Sequence, residues 1–483
     1  MSHDYFMDMM SPEEQKRILR LSSVCGLESW CLREYPDDIA IDTPTEQLTY
    51  TGLWSRVALF RGFLRSAGVQ AGEKIAVVLP NSTACIVCFL AISTYGAVPV
   101  MVSASIPAEA QLESCAIAGC RSAFCLASLP GLQCWSPDGI DLTDSLPAAD
   151  VRPEDPAAAF FTGGTSGLLK CALLSHKALM TGCYNGIFSP VSAFGQRYYG
   201  LIPFSHIFGT VRNLLTCLQT GSCIRPCSDM SRLVQDLKEF EPTVLVLIPA
   251  LAGMLLNLAG LYGKEVFGSR LKVIVTGGAP QPTNIVRTYQ EKFGITVVSG
   301  YGLTESANLV SGSIELLDRV GSVGKLYDRQ EIRFVDDEIQ LRGDNIFIGY
   351  INNPAETEAA FDNGWLKTGD LGYMDEDGYL YITGRSKNLI YFTNGEKICP
   401  EQIEAKVDLV PGVKASLVSM KTNRFNAQVL TCEIYRDPSV SEESLQAAVD
   451  RINLTLPDFS RVRQVLFRTE DFPRTGAMKI RRY

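Results

Sequence analysis

Short apolar runs rich in β-branched residues alternate along much of the chain with longer helix-patterned segments, and the joints between them fall at glycines. Lys74-Ile-Ala-Val-Val-Leu79 precedes a helix-like stretch from Ser82 to Tyr95, and Ala97-Val-Pro-Val-Met-Val102 follows it. Val244-Leu-Val-Leu-Ile248 leads into Ala250–Leu261, and Leu271-Lys-Val-Ile-Val275 ends at Thr276-Gly-Gly278. Runs of this kind with no polar face belong in sheets buried on both sides, so the pattern predicts an α/β fold with layered, largely parallel sheets. Near residue 320 the texture changes. Ser322–Tyr381 offers short strands separated by Arg342-Gly-Asp344, Asp362-Asn-Gly364 and Asp375-Glu-Asp-Gly378, the signature of a β subdomain of hairpins. Beyond Gly384-Arg385 the pattern is that of a compact α+β domain, with Pro400–Val407 as a helix entered through proline. The expected organisation is a large N-terminal domain over 1–384, a joint at 385–387 and a small C-terminal α+β domain over 388–483.

With 44 basic and 53 acidic residues the chain carries a net charge of −9, which argues against chain-wide attraction to nucleic acid or anionic lipid. Two apolar stretches invite comparison with membrane spans. Ala84–Val102 is broken by Ser93, Thr94, Gly96 and Pro99, and Thr243–Leu258 by Pro249, so each reads as a buried strand and a buried helix. Fifteen cysteines without a secretory leader pattern predict reduced thiols and a cytoplasmic location. Cys85 and Cys88 form a C-x-x-C inside an apolar stretch, where a buried helix face is expected rather than a redox pair. His3, His176 and His206 are the only histidines, too few and too scattered for a zinc site.

The strongest local signal for chemistry is Phe160-Phe-Thr-Gly-Gly-Thr-Ser-Gly-Leu-Leu-Lys170. An apolar strand runs into a turn dense in glycine and hydroxyls and closed by a lysine. Glycines let backbone N–H groups approach phosphate oxygens, and the lysine adds positive charge. The P-loop consensus fails, because Gly167 and Lys170 are not adjacent.

Further segments follow in order: Ile202-Pro-Phe-Ser-His206, Thr276-Gly-Gly-Ala-Pro280, Ser299-Gly-Tyr-Gly-Leu-Thr-Glu-Ser306, Trp365-Leu-Lys-Thr-Gly-Asp370, Gly384-Arg-Ser-Lys387, Asn394-Gly-Glu-Lys-Ile-Cys-Pro400 and Phe472-Pro-Arg-Thr-Gly-Ala-Met-Lys479. Together they resemble the adenylate-forming (AMP-binding) superfamily, of the acyl-CoA synthetase type. The resemblance implies a small C-terminal domain that moves, with the active site between it and the large one. It implies that Thr162, Gly163, Gly164, Thr165, Ser166, Gly167 and Lys170 handle the β- and γ-phosphates of ATP. Gly278, Ala279, Tyr301 and Gly302 would line the adenine site, and Thr304 would bond the α-phosphate. Thr162 and Glu305 would hold Mg²⁺. Asp370 would bind the ribose hydroxyls, Arg385 would contact ribose or phosphate, Lys387 would mark the hinge, and His206 would stand beside the acid. Lys479 would offset charge on the α-phosphate as it is attacked.

Three departures from the family pattern stand out. Leu169-Lys-Cys171 replaces the usual Pro-Lys-Gly, Met478 stands where glycine usually precedes the terminal lysine, and the chain ends at Tyr483 where relatives commonly run on. Every charged and metal-binding position is kept, so an active enzyme is expected. The segment Phe204–Thr210 holds no aspartate to pair an amino group. Its wording, with Leu214, Leu215 and Leu218 after it, favours a fatty or other nonpolar acid. The thiol acceptor implied is coenzyme A, with the phosphopantetheine of an acyl carrier protein as the alternative. An amine acceptor and a noncatalytic nucleotide-binding relative complete the readings that the sequence leaves open.

Overall fold

A computed structural model describes residues 2–163, 169–188, 193–392, 396–422, 426–473, 480 and 482. The chain packs as two compact units, Met1–Ile332 with Leu341–Lys367, and Arg333–Gln340 with Thr368–Tyr483.

The larger unit contains two sheets. In the first the strands run in the order Gly349–Tyr350, Leu169–Ser175, Pro156–Gly163, Val98–Met101, Lys74–Val78, Ser122–Cys125 and Gln133–Trp135. Its centre is parallel, with Val77 opposite both Met101 and Phe124. In the second, Cys223–Pro226, Arg197–Gly200, Val244–Leu247, Val273–Thr276 and Thr296–Tyr301 lie side by side, all parallel. Leu245, Ile274 and Val297 along them are fully buried, together with Leu255 and Tyr289 from the covering helices. The continuous apolar runs thus occupy strands covered on both faces, as parallel pairing requires.

Thr83–Tyr95 shows why one such segment becomes a helix. The Ser82 hydroxyl accepts from the Cys85 N–H at the start, and Gly96 closes the end in the left-handed conformation at φ 87°. Cys85 and every residue from there to Thr94 is buried, so the helix is apolar all round because protein surrounds it. At 13 residues it is about 20 Å long, short of the ~30 Å of a bilayer core. Among the described residues no helix is long and apolar enough to cross a membrane. All fifteen cysteines are free, and burial pushes the Cys85 thiol up to about 12 and raises that of Cys88 well above the usual thiol value.

The smaller unit is α+β. The strand Trp365–Met374, which enters this unit at Thr368, pairs antiparallel with Leu380–Arg385. A three-stranded sheet of Val413–Thr422, Gln428–Arg436 and Gln464–Arg468 packs against the helices Pro400–Val407 and Glu442–Asn453 through Ile403, Val407, Val418, Ile434 and Val449.

His176 begins the helix His176–Asn185 in the larger unit and is wholly buried. Its Nδ1 accepts from the Val24 N–H at 3.3 Å, and its Nε2 has no partner among the described residues. Burial lowers its pKa from 6.5 to about 4, against a smaller opposing pull from Asp155. The unfolded chain therefore takes up this proton at a higher pH than the folded one. The contribution is intact above pH 6.5 and drains away as pH falls towards 4, by about 3 kcal/mol in all. Urea unfolding followed from pH 7 to pH 4.5 is expected to show falling stability, and His176→Gln is expected to flatten the slope in that window.

Candidate functional site

The glycine-rich segment joins two strands of one hairpin. Pro156–Gly163 and Leu169–Ser175 run antiparallel, with Thr162 opposite Lys170 and Gly163 opposite Leu169. Gly164, Thr165, Ser166 and Gly167 lie outside the described residues. Cys171, where the family usually has glycine, is fully buried between the hairpin and the core and pairs across to Phe161. It is therefore a packing residue of the strand.

The next candidates sit just past the carboxyl ends of neighbouring parallel strands. Thr276 and Ser299 are paired in the ladder, so the turns that follow them start side by side. Gly278 adopts φ 82°, which a side chain would oppose, and it is exposed together with Ala279. Tyr301 closes its strand half-buried. The chain then turns sharply through Thr304–Ser306, and Ala307 and Asn308 both adopt left-handed backbone, at φ 48° and 82°. Leu303 N–H donates to the Ser306 hydroxyl at 2.9 Å, which pins the turn. The turn folds back so closely that a Cβ on Gly302 would lie 1.5 Å from the Asn308 carbonyl oxygen.

Glu305 projects from this turn. Its Oε1 accepts from the Tyr350 hydroxyl at 2.7 Å, and its carbonyl accepts from Phe347 N–H at 2.9 Å. Among the described residues no cation pairs with this carboxylate. Lys170 lies over the ring of Tyr350, its Nζ 4.9 Å from the centroid and ion-paired with Glu356. Burial first, and the Glu305 charge second, raise the Tyr350 pKa, so the hydroxyl stays a donor. Thr162, Lys170 and Glu305 are thereby gathered in one unit, where Tyr350 meets the ammonium with its ring and the carboxylate with its hydroxyl. No cluster of three or more His, Cys, Asp or Glu among the described residues forms an all-protein metal cage. A lone carboxylate held by a neutral donor suits a hard divalent cation that brings phosphate oxygens and water as its other ligands.

His206 is exposed at the mouth of a buried helix whose turns over Phe208–Leu215 are π-helical, a widening often found at functional sites. Its Nδ1 accepts from the Phe208 N–H at 3.2 Å. Phe208 reaches the neighbouring strand end, where a Cβ on Gly277 would meet its ring at 3.3 Å. Leu214, Leu215 and Leu218 are fully buried in packing, which accounts for their apolar character without an acid pocket.

In the smaller unit Asp370 and Arg385 face each other across the hairpin, with Asp370 Oδ1 2.7 Å from Arg385 Nε. Asp370 is only 3% exposed, and its backbone N–H donates to the Thr368 hydroxyl. Lys387 is exposed, yet its ammonium is held below the usual lysine value by partial burial, then by the Arg385 and Arg482 guanidiniums. Lys479 lies outside the described residues. Three partners escaped the sequence reading: Tyr350, Glu356 and Arg482, the last bridging Glu404 and Glu401. The Gly349-Tyr350 pair followed by Pro354 and Thr357 was a visible turn-and-cap signal, but its target was not.

A sequence profile described as AMP-binding enzyme matches residues 27–351. The chain belongs to the AMP-binding enzyme family. A relative from Bacillus cereus (strain Q1), named 2-succinylbenzoate–CoA ligase, is 26% identical over 471 residues, 92% of this chain and 95% of its own. A long-chain-fatty-acid–CoA ligase from Escherichia coli O157:H7 is 31% identical over 352 residues, 69% of this chain and 62% of that protein. Among solved structures, ATP-bound MatB from Rhodopseudomonas palustris superposes with a TM-score of 0.83 at 24% identity, covering 95% of this chain and 97% of its own. The o-succinylbenzoate CoA synthetase MenE from Bacillus subtilis, in complex with its acyl-adenylate, gives 0.81 at 21%, covering 94% and 96%. These likenesses establish the α/β fold with a large N-terminal and a smaller C-terminal domain. The AMP-binding enzyme is an ATP-dependent, AMP-forming ligase.

The crowding at Gly302 yields a test of this ligase's turn. Because the opposing atom is backbone, Gly302→Ala forces the 302–308 segment apart and is expected to cost about 1–3 kcal/mol in denaturant unfolding. An unchanged unfolding midpoint would show that the turn is not packed in this way.

Proposed function

We propose that this ligase activates a nonpolar carboxylic acid as its acyl adenylate and passes the acyl group to coenzyme A. The observation that carries the reading is the grouping of Thr162, Lys170 and Glu305, in which the carboxylate accepts from a phenol and, among the described residues, pairs with no cation. That is a place for a triphosphate and its divalent ion, with a positive charge on one side and an open anionic ligand on the other.

In the first step a substrate carboxylate oxygen bonds to the α-phosphorus and the bond to pyrophosphate breaks. Residues 162–170 contact the β- and γ-phosphates, Thr304 the α-phosphate, and Gly278, Ala279, Tyr301 and Gly302 the adenine. Glu305 and the Thr162 hydroxyl would hold Mg²⁺, which would supply charge neutralisation to the phosphates. Asp370, ion-paired with Arg385 across the hairpin, takes the ribose hydroxyls, and Arg385 contacts ribose or phosphate. Lys479 meets the charge that develops on nonbridging oxygens. In the second step the thiol sulfur bonds to the acyl carbon, its proton leaves, and AMP departs. Residues 385–387 act as the hinge between moving bodies 1–384 and 388–483, so that one site serves both steps. Support for a nonpolar acid comes from the Phe208 ring against Gly277, the exposed His206 beside it, and the absence of any carboxylate along Phe204–Thr210.

Acid-dependent pyrophosphate release from the purified protein, with fatty, aryl and amino acids and with or without coenzyme A, tests the reading. Release with nonpolar acids, accelerated by coenzyme A and yielding an acyl-CoA, is expected. Release without that product transfers the second step to a carrier-protein thiol or an amine, and silence across the panel overturns the assignment. Lys479→Ala is expected to lower the rate of acyl-adenylate formation by ~10²–10³ while equilibrium ATP binding persists. Wild-type adenylation by that variant would remove Lys479 from the mechanism.

A further inference from the structure

Tyr350 is gripped from several sides. Its backbone pairs with Ala172 of the hairpin, and its N–H donates to the Thr357 hydroxyl at 2.8 Å. Thr357 lies on the helix Pro354–Ala359, whose start is capped by Asn353 and made rigid by Pro354. The Phe347 ring meets the Tyr350 ring edge-on at 4.9 Å, and the Phe347 N–H is the group that holds the Glu305 carbonyl. Gly349 passes Thr357 so closely that a Cβ there would lie 2.7 Å from its methyl. With backbone and ring both fixed, the hydroxyl has one direction in which to point, and Glu305 Oε1 stands there at 2.7 Å.

We propose that Tyr350 is a positioning residue for adenylation: its hydroxyl aims the Glu305 carboxylate at the divalent ion of the nucleotide, and its ring seats the Lys170 ammonium. This rests on the reading of Glu305 as a metal ligand and Lys170 as a phosphate ligand. A phenol is suited to the task because it orients a carboxylate without neutralising it. An arginine at the same place would satisfy the carboxylate and compete with the metal. One oxygen is occupied by the phenol, which leaves Oε2 for the ion. The ring face, electron-rich, holds the lysine by a cation–π contact while Glu356 serves as its counter-ion until phosphates take over. One side chain thus sets the spacing between the cation that meets the phosphates and the anion that meets the metal.

The test is pyrophosphate release by Tyr350→Phe as a function of free Mg²⁺, with Glu305→Gln and Tyr350→Leu alongside. Loss of one hydrogen bond to a charged group is expected to raise the half-saturating Mg²⁺ concentration by about tenfold in Tyr350→Phe, with excess Mg²⁺ restoring rate. Glu305→Gln is expected to shift the same dependence further. Tyr350→Leu, which also removes the ring, is expected to add a rise in KM for ATP that Tyr350→Phe does not show. If Glu305→Gln shifts the Mg²⁺ dependence and Tyr350→Phe does not, the inference fails and the metal assignment stands. If neither variant shifts it, the metal assignment fails and takes the inference with it. A lowered Tm with reduced rate at every Mg²⁺ concentration, at unchanged half-saturation, would reduce Tyr350 to a packing residue.

Discussion

Parallel strand pairing organises the larger unit. In the second sheet Arg197–Gly200, Val244–Leu247, Val273–Thr276 and Thr296–Tyr301 all point the same way, so their carboxyl ends form one edge. Both faces of these strands are spent on the core, where side chains such as Leu245, Ile274 and Val297 have no access to solvent. Chemistry can then be placed only where the ladder stops and the backbone turns. Segments 201–206, 277–280 and 302–306 each begin at such an end, and the residues between Gly163 and Leu169 follow the carboxyl end of a strand parallel to Val98–Met101. Open α/β sheets offer ligands a crevice beyond the strand ends for this reason.

Charge is managed in two different ways in this unit. Buried Arg61 is clamped by both oxygens of Glu28, and Asp42 is met by Arg197 and Arg225. These pairs are closed: each ion taken from water has its opposite beside it, and removal of either partner would strand the other. Glu305 departs from the rule, because its side-chain partner among the described residues is a neutral phenol. An anion left uncompensated in the folded chain is costly unless something that arrives later compensates it. The same logic runs in reverse for Lys170, whose counter-ion Glu356 is part-exposed and so can be exchanged for an incoming anion at modest cost.

Much of the fold was legible in the sequence because the signals were local. Ser82 and Gly96 bracket a helix by hydrogen bonds within a few residues, and Pro400 opens another by its fixed φ. The strands at Lys74, Val98, Val244 and Val273 announce themselves by apolar runs whose length suits a covered sheet. The site was legible as a string of segments and not as a set of contacts. Leu214, Leu215 and Leu218 illustrate the limit: in sequence they admit either an acid pocket or helix packing, and their full burial fits packing. Nothing in the order of residues ties Tyr350 to Glu305, 45 positions away, or Glu356 to Lys170 at 186.

The sequence by itself determined where strands stop, which turns must carry glycine, and which turns carry the hydroxyls, lysines and carboxylates suited to phosphate and metal. Those properties depend on steric and hydrogen-bonding preferences that act over a few residues. Only the tertiary structure decided which charges meet. Partner choice between Lys170, Tyr350, Glu305 and Glu356 depends on how the hairpin, the 302–308 turn and the helix after Gly349 dock, and docking is driven by apolar burial that does not distinguish one surface carboxylate from another.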